Sequence, residues 1–411
     1  MTGVASEKPA ADPALEESAI RRHFPALETS WALFDNAGGS APARFVIDRV
    51  RDFMERVPVQ LGASYRQSRE AAELVADGRR ALSIWLNAAP EEVVIGPSST
   101  VLLQTLARAL PWEAGDEVVV TELDHESNIG PWKRLEERGV RVRTWPFRAD
   151  LGLHLDDLVP LLGERTRLVA FTHCSNLVGR VHDVASVAKL VREHGAETCV
   201  DGVAFAPHGA IDVASLGVDY YVASLYKVFG PHQAVLFGRR ECLERTAGQY
   251  HYFHESAPSK LEPGNVNYEL TASLPGMLEY FGSLVGVADW RELTRADLER
   301  AYARIARREE ELARPLLSFL EEHPRVQLRG PGAEAGRVAT ISFTVDGLPS
   351  AALPPLLEER ELAVRHGNFH ARRAVEALGL DPADGVVRAS LLHYNTHDEV
   401  NRLVSRLDEV L

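Results

Sequence analysis

A lysine and an aspartate in the middle of the chain have the residue types and spacing for carbonyl chemistry. Lys227 lies 26 residues after Asp201, and one predicted strand separates them. The lysine comes just after that strand and before Gly230-Pro231, a setting that is not typical of a solvent-facing lysine. A sheltered lysine amine can bond covalently to a carbonyl carbon. A carboxylate nearby can hold a positive charge close to that bond.

Other polar residues follow predicted strands in the same region. Ser99 and Thr100 come after the run EEVVIG and open a predicted helix, where hydroxyls and free backbone N–H groups form a seat for phosphate. His125, Asn176 and Ser224 follow further apolar runs. Ligands bind beyond the carboxyl ends of the strands in open α/β sheets, so we expect these residues to meet in one site.

One cofactor, pyridoxal 5′-phosphate, would use all of these groups together. It needs a lysine for a Schiff base, a carboxylate to keep its ring nitrogen protonated, and an anion seat for its phosphate. No metal site is predicted, because the three cysteines form no CxxC pair and match no zinc-binding spacing. The loop at 330–336 does not match a dinucleotide fingerprint.

Alternating strand and helix patterns surround these candidates. From about residue 70 to 240, short runs rich in valine, isoleucine and alanine alternate with segments of helical periodicity. Such runs predict strands buried on both faces, and therefore an α/β fold with a mostly parallel central sheet and helices on both faces. Residues 128–139 and 154–163 are each predicted as one helix.

The pattern changes after about residue 280. A long charged helix is predicted at 291–322 and strands at 337–345 and 386–394, and Thr396 and Glu399 have capping-box spacing at the start of a final helix. The expected parts are a flexible tail (1–18), a large cofactor-binding domain (19–280) and a smaller α+β C-terminal domain (281–411).

Length, charge and composition exclude several classes of protein. The 411 residues carry a formal charge of −14, which gives no overall attraction for nucleic acid. The polar first residues lack the apolar centre of a signal peptide, and no run reaches the ~18 apolar residues of a membrane helix. We expect a cytoplasmic protein with unpaired cysteines, no nucleic-acid partner and no membrane contact.

Several sequence blocks resemble the class V aminotransferase group of fold-type I pyridoxal phosphate enzymes, in its cysteine-desulfurase-like branch. The resemblance covers roughly residues 30–411 and depends on the order and spacing of the blocks. The blocks are FDNAGGSAPA (34–43), LDHESNIGPW (123–132), THCSNLVGRVHDV (172–184), VDGVAFAPHGAIDV (200–213), SLYKVFGPH (224–232), EPGNVN (262–267), VRHGNFHA (364–371) and VVRASLLHYNTHDEV (386–400).

The resemblance implies roles for the candidate residues. Lys227 forms the Schiff base and then moves a proton, Asp201 pairs with the ring nitrogen, and His125 stacks on the ring. Asn176 donates to the ring hydroxyl. The phosphate is held by Ser99, Thr100 and Ser224, and the hydroxyl of Tyr226 can also bond it. Asn265 stands where the family usually has a threonine that reaches the phosphate of the neighbouring subunit. The implied substrate-binding residues are Arg388, which clamps the α-carboxylate, together with Arg365 and Tyr65.

The chain departs from the desulfurase pattern at the loop that carries the persulfide-forming cysteine. His370 occupies that position, and no cysteine lies near it in sequence. An imidazole cannot carry a persulfide, so we predict that none forms. Ala204 replaces a glutamine that contacts the cofactor, and Tyr226 replaces the histidine before the lysine. A histidine near residues 62–66 is also absent, and Tyr65 stands there.

The favoured hypothesis is a lyase that eliminates across Cβ and cleaves C–S or a related bond of a cysteine-derived or other amino-acid substrate. Lys227 would take the α-proton, and His370 or Tyr65 would protonate the leaving group. Transamination and epimerisation would use the same residues, and a cofactor-binding scaffold without turnover is a further alternative. The family is dimeric, which implies a homodimer with shared active sites.

Overall fold

The computed structural model describes residues 15–248, 252, 255–262, 264–333 and 336–411. Of the predicted tail, residues 1–14 lie outside the described residues. Residues 15–18 are packed rather than free, because Leu15 and Ile20 are buried and the first helix begins at Glu17. No helix among the described residues is long and apolar enough to cross a membrane.

The described residues form strands and helices in alternation, joined by loops and short 3₁₀ turns. The strands are β1 Ala32–Leu33, β2 Val93–Gly96, β3 Glu117–Thr121, β4 Arg141–Trp145, β5 Thr166–Thr172, β6 Glu197–Asp201, β7 Tyr220–Ser224, β8 Ala234–Gly238, β9 Val326–Leu328, β10 Thr340–Val345, β11 Leu362–Ala363, β12 Arg365–Gly367 and β13 Val386–Ser390. The helices are α1 Glu17–Arg21, α2 Arg44–Arg56, α3 Arg66–Leu86, α4 Ser99–Ala109, α5 Gly130–Lys133, α6 Leu155–Leu158, α7 Val184–Glu193, α8 Val213–Leu216, α9 Arg240–Glu244, α10 Tyr268–Ala272, α11 Pro275–Val285, α12 Arg295–Glu322, α13 Leu353–Glu358, α14 Arg372–Ala377 and α15 His397–Val410.

The central sheet has seven strands in the order β2-β8-β7-β6-β5-β3-β4. The strands from β7 to β4 run parallel, and β8 is antiparallel to both of its neighbours. The predicted mostly parallel sheet is therefore confirmed. All of its parallel strands end at one edge, where polar residues from distant parts of the chain can meet.

Alternate residues of each central strand belong to different hydrophobic cores. On β7, Tyr221 and Ala223 pack in one core, whereas Tyr220 and Val222 pack in a second core. The period of two along a strand places these pairs on opposite faces of the sheet. The near-continuous apolar runs in the sequence follow from this arrangement, because both faces of the sheet are covered.

A second sheet, in the order β12-β13-β10-β9, forms the smaller α+β part of the molecule. It packs in a third core with the C-terminal half of α12, while the N-terminal half of α12 packs in the first core. The N-terminal strand β1 pairs in parallel with β11, and Ala32 and Phe34 lie in the third core. The predicted domain boundary at 280/281 stays a prediction, and these contacts show that α12 and the N-terminal segment link the two parts.

Candidate active site

The predicted site residues meet at the carboxyl edge of the central sheet. Asp201 and Ser224 are the last residues of β6 and β7, and Lys227 closes a 3₁₀ turn that directly follows β7. Asn176 comes after β5, and His125 comes after β3. One cavity is lined by Ser98, Ser99, Thr100, His125, Ser127, Thr172, Cys174, Asn176, Asp201, Val203, Ala204, Ser224, Tyr226 and Lys227.

The amine of Lys227 is buried, with 9% of the residue exposed. Burial lowers its pKa to about 8, and the positive charge of Arg388 acts in the same direction. The carboxylates of Asp201 and Asp35 oppose this shift. A lysine in this setting has a much larger neutral fraction near neutral pH than an exposed lysine, so its amine can act as a nucleophile or a base.

Asp201 is buried opposite this lysine. Its Oδ1 accepts a hydrogen bond from the backbone N–H of Val203 at 2.9 Å. Burial raises the pKa of the carboxyl, while the Val203 N–H and the charge of Lys227 act against that rise. A buried carboxylate in this position can pair with a cationic ring nitrogen. The positive charge would offset the cost of keeping the carboxylate ionised away from water.

Hydroxyl groups surround the N-terminus of α4. The Oγ atoms of Ser99 and Ser224 lie 2.6 Å apart, and Thr100 Oγ1 lies 2.7 Å from Ser127 Oγ. Ser98 caps the helix by accepting a hydrogen bond from the Val101 N–H at 3.2 Å. Free backbone N–H groups and hydroxyls at the start of a helix of this length bind phosphate.

Two histidines stand beside each other: His125 lines the cofactor cavity, and both His125 and His370 line an adjoining cavity. The ring centroids of His125 and His370 are 5.2 Å apart. His125 Nδ1 accepts a hydrogen bond from the Ser127 N–H at 3.0 Å, which places the ring proton of the neutral form on Nε2. Burial lowers the pKa of His125 to about 4, and the charges of Lys227 and His370 add to this effect. His125 is therefore neutral at physiological pH.

The loop that carries His370 is fixed at several points. The backbone carbonyl of His370 accepts from the Glu126 N–H at 2.8 Å, and the Phe369 carbonyl accepts from Asn176 Nδ2 at 2.9 Å. Phe369 and His370 both have positive φ angles, 50° and 60°, which are uncommon for residues with side chains. Asn368 Oδ1 accepts from the His370 N–H at 3.0 Å and supports that conformation.

Arg388 is 2% exposed and reaches the site from the small sheet. Its Nη1 donates to the carbonyl of Asn176 at 3.0 Å, and its Nη2 donates to Asp35 Oδ1 at 2.9 Å. The guanidinium carbon lies 3.7 Å from the centroid of the Phe369 ring. Arg365 lies at the rim, where its Nη1 is 3.5 Å from Asp35 Oδ2.

Tyr226 lies in the cofactor cavity as predicted, whereas Asn265, Tyr65 and His370 do not line it. The Tyr226 side chain lines the cavity, and its ring stacks on His232 at 4.8 Å. Asn265 lies in a separate cavity beside His232 and Gln233, so its predicted contact with a neighbouring subunit stays a prediction. Tyr65 is 47% exposed on the loop before α3 and does not line the cofactor cavity.

Sequence reasoning missed two residues that shape the site. Asp35 pairs with both arginines, and Phe369 packs against Arg388. Both lie inside sequence blocks that carry the family resemblance, FDNAGGSAPA and VRHGNFHA, and this was the available signal. Their partners are distant in sequence, so no local pattern could assign them a role.

The three cysteines do not provide a reactive thiol. Cys174, Cys199 and Cys242 are all buried, and burial raises the pKa of each thiol. Cys174 lines the cavity, but a thiol with a raised pKa is a poor nucleophile because the thiolate is the reactive form. Among the described residues, no group of three or more histidines, cysteines or carboxylates is placed to hold a metal ion.

The cavity fits pyridoxal 5′-phosphate on the chemistry of its donors. It joins a buried lysine amine, a buried carboxylate and a hydroxyl-lined helix N-terminus around one space. The amine matches the aldehyde of the cofactor, the carboxylate matches its ring nitrogen, and the helix N-terminus matches its phosphate. An α/β sheet with this set at its carboxyl edge defines the class of fold-type I pyridoxal phosphate enzymes.

Comparisons with known proteins place the chain within that class. Residues 32–403 match the model of the aminotransferase class-V family. The chain is 37% identical to the aminotransferase-like protein FGM3 of Gibberella zeae, covering 95% of this chain and 98% of that protein. It is 31% identical to the cysteine desulfurase-like protein ustD of Aspergillus flavus, covering 100% and 94%. A cysteine desulfurase structure from Thermococcus onnurineus superimposes with a TM-score of 0.85 at 23% identity, covering 96% of this chain and 97% of that one.

The chain belongs to the class V aminotransferase family, which includes cysteine-desulfurase-like proteins. The predicted family, fold class and cofactor are confirmed by these matches. Members of this family are enzymes that use pyridoxal phosphate.

Proposed function

We propose that this protein is a pyridoxal phosphate-dependent lyase that removes the β-substituent of a cysteine-derived or related amino acid without forming a persulfide. The observation that carries the proposal is the fixed loop at 368–371. Where desulfurases of this family have a cysteine, the loop holds His370 beside His125. A β-elimination needs no thiol nucleophile, but it does need a proton donor at the leaving group.

The bound cofactor supplies an aldehyde for the substrate amine and a ring that accepts electrons from the substrate Cα. Ser99, Thr100, Ser224 and the N-terminus of α4 would bind the phosphate, and Tyr226 lines the same cavity. Asp201 pairs with the ring nitrogen. His125 would pack on the ring in its neutral form, and the Asn176 amide has a second N–H, beyond the one that it gives to Phe369, which would be available to the ring hydroxyl.

The substrate is held through its carboxylate. Arg388 has a planar fork of donors that matches a carboxylate, and its Nε has no partner among the described residues although the side chain is buried. Arg365 lies on the rim of the same seat and adds a second positive charge. A fixed carboxylate directs Cα and Cβ toward Lys227 and the two histidines.

Lys227 takes the proton from the substrate Cα, and the Cβ–S bond then breaks with both electrons going to sulfur. His370, which lies beside His125 and lines an adjoining cavity with it, gives a proton to the departing thiolate. The remaining three-carbon unit is released and is hydrolysed by water to pyruvate and ammonia. His370 shares an adjoining cavity with His125, whereas Tyr65 lines neither that cavity nor the cofactor cavity, so His370 is the proposed donor.

Transamination and epimerisation would use the same Lys227, Asp201 and Arg388. Transamination differs because water must reach the cofactor carbon that carries the amine, and epimerisation differs because the proton returns to Cα. One relative has an aminotransferase-like name, which keeps transamination as the second candidate. A scaffold without turnover would need Lys227 and Asp201 to hold the cofactor, but it would not need Arg388 to bind a substrate carboxylate.

The test is a panel of amino acids and S-substituted cysteines mixed with the cofactor-loaded protein. Elimination gives equal amounts of pyruvate, ammonia and thiol, and the cofactor spectrum returns to its starting form. Transamination instead converts the cofactor to its amine form and yields a 2-oxo acid that keeps the substituent. Inversion at Cα without product release indicates epimerisation, and an unchanged spectrum with every compound would contradict all three reactions.

We also propose that the enzyme works as a cytoplasmic homodimer with shared active sites. Asn265 lies outside the cavity of its own chain, next to Val101, which is 41% exposed. The position of Asn265 supports the proposal, because the family's threonine at this place reaches the phosphate of the neighbouring subunit. The buried, unpaired cysteines fit a reducing compartment. Equilibrium sedimentation tests the dimer, and a monomer at micromolar concentration would contradict it.

A further inference from the structure

Two arginines of the candidate site lie directly opposite each other in the small sheet. Arg365 on β12 and Arg388 on β13 are partners in the antiparallel ladder. Like charges at opposite positions repel each other and destabilise a sheet. Arg388 is almost completely removed from water, whereas the Arg365 side chain is 56% exposed, so water screens only one of the two charges. An anion between them would offset the repulsion that remains.

Asp35 supplies the anion inside the chain. Its two carboxylate oxygens face different arginines, with Oδ1 2.9 Å from Arg388 Nη2 and Oδ2 3.5 Å from Arg365 Nη1. The N-terminal segment brings it there, because β1 pairs with β11 and Asp35 forms a bridge with Ser390 at the end of β13. One carboxylate thus joins two guanidinium groups from neighbouring strands.

We propose that Asp35 is a positioning residue of the carboxylate seat, the binding site that Arg365 and Arg388 form for the substrate carboxylate. Asp35 holds the two arginines together and leaves this site with one net positive charge. This inference rests on the proposed function, in which Arg388 binds the substrate carboxylate. The Phe369 ring supports the same arrangement, since it lies 3.7 Å from the guanidinium carbon of Arg388 and 5.9 Å from that of Arg365.

The charge of the seat determines which ligands it prefers. A single carboxylate neutralises one net positive charge, whereas a second carboxylate at the same end of a ligand would be left without a partner. The seat therefore selects substrates with one carboxylate near Cα over dianionic substrates. Asp35 also acts on the chemistry beyond the seat, because its charge reaches Lys227.

The test uses the cofactor-loaded protein with propionate and succinate, which lack an amine and cannot react. Calorimetry gives the two dissociation constants. In Asp35→Asn we expect propionate to bind about tenfold more weakly, because Arg388 loses the partner that orients it. We also expect the preference between the two acids to shift toward succinate by a similar factor, because the seat gains a positive charge.

Matched variants separate this role from general effects of charge. Asp157→Asn removes the same charge from a surface pair with Arg148 and should change neither constant. Adding Arg365→Gln to Asp35→Asn removes the excess charge and should return the preference toward propionate. If Asp35→Asn does not fold, Asp35→Glu keeps the charge and should keep the preference while weakening propionate binding.

Constants in Asp35→Asn equal to those of the unmodified protein would overturn the inference. So would a shift toward succinate in Asp35→Glu. A failure of the lyase hypothesis is distinguishable, because these constants do not depend on turnover. If the unmodified protein binds neither acid, Arg388 does not hold a carboxylate and this inference is overturned, while the product panel still decides the lyase proposal separately.

Discussion

At the scale of single residues, the site depends on what burial does to ionisable groups. Burial lowers the pKa values of Lys227 and His125 and raises that of Asp201. Each shift favours the neutral form of a group that has little water around it. A bound cofactor would replace the missing water as a partner of these groups, because it brings a cationic ring nitrogen for the carboxylate and a carbonyl carbon for the amine.

Lys227→Ala should abolish both turnover and the visible absorption of the bound cofactor, because no other described amine lines the cavity. The absorption spectrum of the purified variant tests this, together with release of the cofactor on dialysis. Lys189→Ala, which changes an exposed lysine on α7, serves as the control and should keep both properties. Persistence of the visible band in Lys227→Ala would show that another lysine holds the cofactor.

Capture of the cofactor by the cofactor-free protein should accelerate as the pH rises through about 8. The neutral amine of Lys227 attacks the aldehyde, and its pKa is lowered to about 8. Below that pH the amine is mostly protonated and unreactive, whereas an ordinary lysine would need a pH near its usual pKa of about 10.4. Stopped-flow absorbance gives the rate constants, and a midpoint near the ordinary lysine value would contradict the buried setting.

His370→Ala should lower kcat for elimination by about 10²-fold, because the leaving thiolate loses its proton donor. KM should change much less. The effect should be smaller for an aryl thiolate, which leaves without protonation, than for an alkyl thiolate. His194→Ala on the surface after α7 is the matched control. An equal loss with both leaving groups would assign His370 a structural role.

At the scale of elements, the sequence predicted the central strands well because they are buried on both faces. The apolar runs at 91–96, 117–124 and 219–224, within the alternating region at 70–240, correspond to β2, β3 and β7, with ends that differ by a few residues. Such strands carry continuous apolar runs, which local composition reveals. The strands β1, β11 and β12 are two or three residues long and have no period to detect.

Two predicted helices are divided in the structure. Residues 128–139 form α5 and a following 3₁₀ turn at 134–138, and Gly139 ends this segment at a φ of 80°. Residues 154–163 form α6 and a 3₁₀ turn that contains Pro160, which lacks the N–H that a continuing helix requires. Periodicity detects the apolar face of such a segment but not the point at which it is interrupted.

Some of the site residues could be predicted from the sequence, and others could not. Residues that follow strands could be predicted, because the carboxyl edge of a parallel sheet has a fixed location. The link between Asp35 and Arg388 could not, since these residues are 353 positions apart and meet through the two-residue strand β1. Contacts of that kind depend on how the N-terminal segment packs on the small sheet.

The capping box of the last helix was predicted and is present. Thr396 accepts from the Glu399 N–H at 3.0 Å, and Glu399 Oε2 accepts from the Thr396 N–H at 3.1 Å. Thr396→Ala should lower the free energy of unfolding by about 1 kcal/mol. Denaturant unfolding measures this, and Ser405→Ala on the exposed side of α15 should cost much less. Equal effects of the two variants would contradict the capping role.

At the scale of the whole molecule, α12 links the two parts through a buried charged group. Glu309 accepts from the His393 N–H at 3.2 Å and lies 2.6 Å from His208 Nδ1. Desolvation favours the protonated form of Glu309, but the histidines outweigh it and lower its pKa. The carboxylate therefore stays charged inside the molecule, where a lost partner would be costly.

The free energy of unfolding should fall as the pH decreases below about 6.5. Burial lowers the pKa of His173 to about 3 and that of His182 to about 4, and it lowers the pKa of His393 as well. The unfolded chain then binds protons that the folded chain excludes, so each histidine contributes a slope of about 1.4 kcal/mol per pH unit down to its folded pKa. Denaturant midpoints at pH 8, 6 and 5 measure this, and equal midpoints would contradict it.

The central claim is elimination without a persulfide, and one measurement tests it most directly. The cofactor-loaded protein is incubated with excess L-cysteine and with S-alkyl cysteine, and the products and the intact protein mass are recorded together. We expect pyruvate and ammonia in equal amounts and a protein mass without added sulfur. Alanine as the product, with one additional sulfur atom on a cysteine of the protein, would contradict the account.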